Sequence, residues 1–239
     1  HTSYIRREPI GVVAQVTPWN YPLDMAVWKL GPALAAGNTV VLKPSDTTPE
    51  STLVLAELIA EIFPAGVVNI VLGAGAVGAQ LVSHKTPQLV AITGSVRAGR
   101  SVAEAAGKEL KLTHLELGGK APAIVFADAD LKRTAQMLTE FGYFNAGQDC
   151  TAVTRVLVEE SAAEEFTRLL VEAAKATKTG SENDADNYYG PLNNVNHFET
   201  VMGKLQSLPS HATVECGGKQ LGDKGFFIEP TVISGVHQD

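Results

Sequence analysis

Gly37-Asn38-Thr39-Val40-Val41-Leu42-Lys43-Pro44-Ser45-Asp46-Thr47-Thr48-Pro49 is the stretch whose reading decides the fold. Gly37 and Asn38 tolerate left-handed backbone and close a helical pattern running from about Asp24 to Ala36. The polar pair Thr47-Thr48, followed by Pro49 in a first-turn position, opens a second helix reaching about Ile62. Between them Thr39–Leu42 is a short, mostly β-branched run. A strand trapped between two helices is part of a βαβ unit, and the same unit recurs in both directions. Gly11–Val16 precedes the first helix; Val67–Leu72, Leu89–Ile92 and Leu112–Leu117 follow, separated by helical patterns at Val77–Ser83 and Arg97–Ala106. That rhythm implies a parallel sheet. Its strands read as nearly continuous apolar runs, which predicts helices on both faces.

Beyond Leu117 the pattern restarts: Ala123–Phe126, a helix from Asp130 to Phe144, a strand at Val153–Glu159, a helix at Ala162–Ala176, a polar loop Thr179–Tyr188, a helix at Val195–Leu208 and a strand at Ala212–Cys216. A domain boundary therefore falls near Gly118-Gly119, giving residues 1–118 and 119–239, each α/β.

The 239 residues suffice for one large or two modest domains. A content of 45 % hydrophobic and 19 % charged residues is that of a globular chain, and the net charge of -7 offers no basic footprint for nucleic acid. Apolar runs stop short of a bilayer span, and no signal-like segment opens the chain. Neither a membrane nor nucleic acid is expected as a partner; an acidic surface suits a cytoplasmic enzyme. The six histidines show no ligand spacing, so no metal is expected.

Phe144-Asn145-Ala146-Gly147-Gln148-Asp149-Cys150-Thr151 places a cysteine just beyond a helix among amides and small residues. A nucleophilic thiol needs such approach room and local donors, whereas a structural one sits inert in an apolar run. Cys216, in Val-Glu-Cys-Gly-Gly with no partner base, reads as structural. Gly73-Ala74-Gly75-Ala76-Val77-Gly78 fits the G-x-G-x-x-G dinucleotide fingerprint, yet the next strand ends Ile92-Thr93-Gly94-Ser95 without the carboxylate that its mechanism requires. A tight strand-to-helix turn is the competing reading. Thr93 to Gly99 sets small residues and a hydroxyl at a helix start, where amides attract a pyrophosphate.

Together with Leu115-Glu116-Leu117-Gly118-Gly119-Lys120 and Thr17-Pro18-Trp19-Asn20-Tyr21-Pro22, the cysteine segment closely resembles the aldehyde dehydrogenase superfamily. The spacings agree with that family's: 34 positions from Glu116 to Cys150 and 23 from Asn20 to Lys43. The resemblance spans essentially the whole chain but only the middle of such an enzyme, so an internal fragment is expected. It implies an aldehyde dehydrogenase-like fold: a Rossmann-type cofactor domain in 1–118, and part of a second α/β catalytic domain in 119–239. It also implies Cys150 as nucleophile, the Asn20 amide with the Cys150 N–H as oxyanion donors, and Glu116 as general base, its pKa raised by an apolar surround.

The cofactor implied is NAD, with NADP the alternative. Lys43 would meet the adenosine ribose, and Asp46 would disfavour a 2′-phosphate, a preference Ser45 softens. Gly94, Ser95, Gly99, Leu117, Gly118 and Trp19 complete the set. The segments around Lys29 and Cys150 look most like the aminoaldehyde branch, particularly 4-aminobutyraldehyde dehydrogenases. Tyr21 and Trp28 would enclose an alkylammonium chain, with Tyr143 among the substrate residues; Asp149 would supply counter-charge, and Asp24 either does the same or simply faces solvent. Betaine aldehyde is the nearest competing substrate, since the same cage suits a quaternary ammonium; succinate semialdehyde is a further alternative, disfavoured because no arginine stands beside these positions to pair its carboxylate. A non-redox thiol hydrolase and an inactive binding fragment are the alternatives outside the class. The family's chains imply a homo-oligomeric parent, a dimer or tetramer.

Overall fold

Strand-and-helix alternation in the first half folds into one five-stranded sheet of order β3-β2-β1-β4-β5. The strands are β1 (Val12–Val16), β2 (Thr39–Lys43), β3 (Val68–Ile70), β4 (Leu89–Gly94) and β5 (Leu112–Leu117), and every pairing is parallel. This computed structural model describes residues 1–181 and 184–237; part of the expected Thr179–Tyr188 loop thus lies outside the described residues. The chain divides into two compact units, His1–Gly118 and Gly119–Asp239.

In the first unit, side-chain alternation along β1 sends Val13 into one core and Ala14 into another. Helices α1 (Pro22–Ala35) and α2 (Glu50–Ala60) supply Ala26, Leu30, Leu55 and Ile59 to the core around Val13, Val40 and Leu42. Helices α3 (Gly75–Ser83) and α4 (Val96–Lys108) supply Val82 and Val102 to the other, around Ala14, Val90 and Ile92. Asn38 fastens the first turn. Its Oδ1 accepts from the Ile10 and Gly11 N–H groups and its Nδ2 donates to the Ala33 carbonyl, while Gly37 takes φ +80°. Lys111 donates from Nζ to the Val82 and His84 carbonyls, closing the C-terminal end of α3 with a cation.

The expectation of a sheet buried on both faces holds for the central strands and fails at β5. Leu112 is 57 % exposed, and Thr113, His114 and Glu116 are exposed too. In Leu-Thr-His-Leu-Glu-Leu the polar residues interrupt the apolar run, and Leu112, His114 and Glu116 share one wet face, as at the edge of a sheet.

In the second unit β6 (Ala121–Val125) pairs in parallel with β7 (Val153–Val158). Helices α5 (Leu131–Tyr143) and α6 (Ala163–Ala176) enclose a core of Val125, Ala135 and Phe166. Asp130 caps α5 through the Arg133 N–H. Asn194 caps α7 (Val195–Gln206) through the His197 N–H. An antiparallel pair, β8 (Thr213–Cys216) with β9 (Val232–Ser234), completes the unit. No helix among the described residues is long and apolar enough to cross a membrane.

Candidate active site

Because the five strands run in one direction, the loops that follow them leave from a single rim of the sheet, where open α/β sheets bind ligands. Trp19, Asn20 and Tyr21 follow β1; Lys43, Ser45 and Asp46 end or follow β2; Gly94 ends β4 and Ser95 follows it; Glu116 and Leu117 end β5 and Gly118 follows it. Register brings several of them side by side: Val16 lies opposite Lys43, Thr93 opposite Glu116 and Gly94 opposite Leu117.

Lys43 is buried, at 5 % exposure, and spends two of its three donors inside the unit, on the Pro44 and Gly73 carbonyls, each at 2.7 Å. Burial lowers its pKa; the charge of Asp46 acts in the other direction. Lys43 therefore ties the end of β2 to the glycine loop. Gly73 has φ +148°, and a Cβ there would lie 2.9 Å from that of Val77. The loop is a tight strand-to-helix turn closed onto its own chain. Ser45 pairs through Oγ with Thr47 Oγ1 at 3.1 Å, and Asp46 is exposed.

At α4, Ser95 accepts the Ala98 N–H, and the first turn carries no carboxylate. Gly99 is buried against β5: a Cβ there would stand 2.5 Å from Leu117 Cδ2. The helix start thus reaches the rim with small residues and an acid-free N-terminal turn. That suits a diphosphate, and with the remaining Lys43 donor and the exposed Asp46 carboxylate these residues fit a dinucleotide.

Glu116 departs from expectation. Its side chain is 55 % exposed, with His114 Nε2 3.6 Å from Oε1, so the desolvating surround predicted from the apolar run is absent. The cause is again β5, whose polar positions face outward. The buried ammonium nearby is Lys29, 5 % exposed on α1, whose pKa burial pushes down to about 8 while the Glu116 charge opposes the shift. Sequence reasoning missed Lys29; the signal was a lysine at a core-facing helical position. Trp19, Asn20 and Tyr21 are half-buried, Tyr21 at the cap position before α1. Asp24 and Trp28 stand one turn apart on the outer face of α1 with Leu23 and Val27, and Trp28 is 64 % exposed.

In the second unit Cys150 is exposed, whereas the thiol of Cys216 is half-buried, 3.7 Å from the Pro230 carbonyl, with its pKa raised by burial. Asp149 Oδ1 accepts both the Thr151 N–H and the Thr151 hydroxyl at 2.7 Å, so this carboxylate shapes the turn around the cysteine. Gly119 approaches the same segment: a Cβ there would lie 3.7 Å from the Cys150 carbonyl oxygen. Tyr143 donates its hydroxyl to the Thr231 carbonyl, its ring centroid lies 6.1 Å from that of Tyr189, and burial pushes its pKa well up. One feature escaped sequence reasoning entirely. Asn145, Ala146 and Gly147 are consecutive left-handed residues, at φ 51°, 59° and 71°. The Asn-Ala-Gly order was the available signal, since asparagine and glycine accept that region. No group of three metal-ligating side chains occurs among the described residues.

The second unit offers an accessible thiol on a built turn, and the first a rim carrying amide and carboxylate side chains and an acid-free helix start. Comparison with known proteins agrees with that chemistry. The model of the aldehyde dehydrogenase family matches residues 1–239. Retinal dehydrogenase 2 of Gallus gallus is 49 % identical over 99 % of this chain and 46 % of its own length. Among solved structures, lactaldehyde dehydrogenase from Escherichia coli is 37 % identical at a TM-score of 0.93, covering 97 % of this chain and 50 % of the other. Betaine aldehyde dehydrogenase from Staphylococcus aureus, in complex with NAD+, is 41 % identical at a TM-score of 0.93, covering 96 % and 47 %. The chain thus spans about half the length of the relatives it matches.

Proposed function

The chain belongs to the aldehyde dehydrogenase family, and from that premise we propose that it carries the nucleophile, base and cofactor rim of an enzyme oxidising an aldehyde to a carboxylic acid with NAD. The observation that carries the proposal is the accessible thiol of Cys150 on its polar turn, whereas the thiol of Cys216 is half-buried. The Cys150 thiolate adds to the aldehyde carbon, forming a C–S bond and a tetrahedral thiohemiacetal. Asn20 Nδ2 and the Cys150 N–H donate to the oxyanion. A bound nicotinamide supplies the acceptor for the hydride that leaves this carbon, which makes the adduct a thioester. Glu116 then takes a proton from water, the water oxygen attacks the thioester, and the thiolate leaves as the acid forms.

Lys43 and Asp46 would hold the adenosine ribose, Gly94, Ser95 and Gly99 the diphosphate, with Trp19, Ser45, Leu117 and Gly118 lining the rest. The Asp46 carboxylate favours NAD over NADP. A homo-oligomeric parent in the cytoplasm accords with this reading.

For the substrate we infer a short cationic aldehyde, 4-aminobutyraldehyde first and betaine aldehyde next. Support comes from the carboxylate of Asp24 beside Trp28 and from likeness to a betaine aldehyde dehydrogenase. Tyr21 is inferred as a further substrate residue, as are Tyr143 and Asp149 of the second unit. A larger apolar aldehyde is the second reading, supported by likeness to retinal dehydrogenase 2 and by the exposed Leu23 and Val27.

NADH formation by the full-length gene product containing this sequence, with 4-aminobutyraldehyde, betaine aldehyde, succinate semialdehyde and retinal in parallel, tests both levels. Turnover abolished by Cys150→Ala and highest on the amine supports the whole reading. Preference for retinal discards the cationic branch and keeps the mechanism. Turnover surviving Cys150→Ala, or no NADH with any substrate, sinks the mechanism and revives a thiol hydrolase or a binding fragment.

A further inference from the structure

We propose that Gln148 is a positioning residue for Cys150, a clamp that holds the left-handed Asn145-Ala146-Gly147 turn against the start of α7. The inference rests on the reading of Cys150 as nucleophile, but its physical core stands on contacts within the second unit alone.

An alanine in the left-handed region relaxes readily, because its Cβ crowds the carbonyl that follows, so Ala146, between an asparagine and a glycine that accept this region, needs support to hold its place. The support is visible. Gln148 Nε2 donates to the Asn145 carbonyl at 3.0 Å, and the Gln148 backbone N–H donates to the same oxygen at 3.1 Å. Asn145 Nδ2 reaches back to the Gln148 carbonyl at 3.4 Å. The other end of the Gln148 side chain points away from the turn: its Oε1 accepts the Asn193 N–H at 2.9 Å, one residue before the α7 cap.

One side chain therefore bridges segments 45 residues apart with both of its amide functions, two positions before the cysteine. The turn also sits tightly on α5, since a Cβ at Gly147 would lie 3.3 Å from the Gly142 carbonyl oxygen. With the Asp149–Thr151 turn on the far side, Cys150 is held from both directions. Its N–H and thiol are aimed by backbone that Gln148 fixes.

The test uses this chain with Cys216→Ser, leaving one thiol, and compares Gln148→Ala, Gln148→Glu and Ala146→Gly. In Gln148→Ala, amide hydrogen exchange should rise at least fivefold at both 145–150 and 193–194 and stay unchanged in α6, and alkylation of Cys150 by iodoacetamide should slow at least threefold. Gln148→Glu keeps the acceptor for Asn193 and loses the donor to Asn145, so exchange should rise in the first segment alone. Ala146→Gly accepts the left-handed geometry and should alkylate within twofold of the parent.

In the full-length product, Gln148→Ala should lower kcat at least tenfold with KM within twofold. Unchanged exchange at 193–194 overturns the bridge. Raised exchange with unchanged alkylation and kcat makes Gln148 structural and overturns the positioning role. Should the full-length product turn over no aldehyde, the function proposed above falls, while exchange and alkylation still decide the clamp.

Discussion

Replacing Lys29 by methionine should make the first unit more stable, against the usual outcome for a core substitution. Lys29 is only 5 % exposed, and burial pushes its pKa from 10.5 to about 8, the Glu116 charge recovering part of the loss. At about 1.4 kcal/mol per pH unit, the charged side chain costs the folded state about 3 kcal/mol. The sign follows from where protons bind. Below about pH 8 the ammonium is charged in both states and the full cost applies. Between about pH 8 and 10.5 the folded chain has lost its proton while the unfolded chain keeps it, so stability rises with pH. Above 10.5 the cost is gone. Methionine keeps the length of the chain and leaves little cavity, so Lys29→Met should gain about 2–3 kcal/mol at neutral pH, a gain that disappears above about pH 10. Urea unfolding of both proteins at several pH values reads this directly, as a midpoint shift at constant slope. A gain independent of pH, or a loss at neutral pH, would refute the burial argument.

Two further substitutions probe the frame around the site. Lys111→Met strips the cation from the last carbonyls of α3 and should lower the stability of the first unit by about 2 kcal/mol, measured by the same unfolding experiment. Phe166→Ala, at a side chain 1 % exposed, should cost the second unit about 3–5 kcal/mol; a loss below about 1 kcal/mol in tryptic susceptibility or calorimetry would mean that the core between α5 and α6 is not packed as described.

Much of the first unit was legible because its strands are buried on two faces and so read as unbroken apolar runs, with Gly37-Asn38 and Pro49 marking the helix ends. β5 differs from its neighbours, and the polar Thr113, His114 and Glu116 within its run carry the warning; the exposed Glu116 is the consequence. Lys43 could be placed at a strand end, but its two carbonyl partners could not, since one of them, Gly73, is 30 positions away and contributes only backbone. The turn before Cys150 was hidden for a similar reason. Left-handed backbone is readable where glycine demands it, and here an alanine adopts it under the constraint of a glutamine whose second partner lies 45 residues on. Local pattern reports propensity; such long-range bonds overrule it.

The parallel order of the first sheet has a consequence for how such a chain diversifies. With β1 at the centre and neighbours added outward on both sides, stability rests on strand interiors, helix faces and the few rim residues packed into them, Lys43, Gly73 and Gly99, while exposed rim positions such as Asp46 contribute little. Mutation can therefore rewrite the exposed positions of the rim over generations with small penalties to folding, and the sheet with its few packed rim residues acts as an inherited chassis beneath an editable surface.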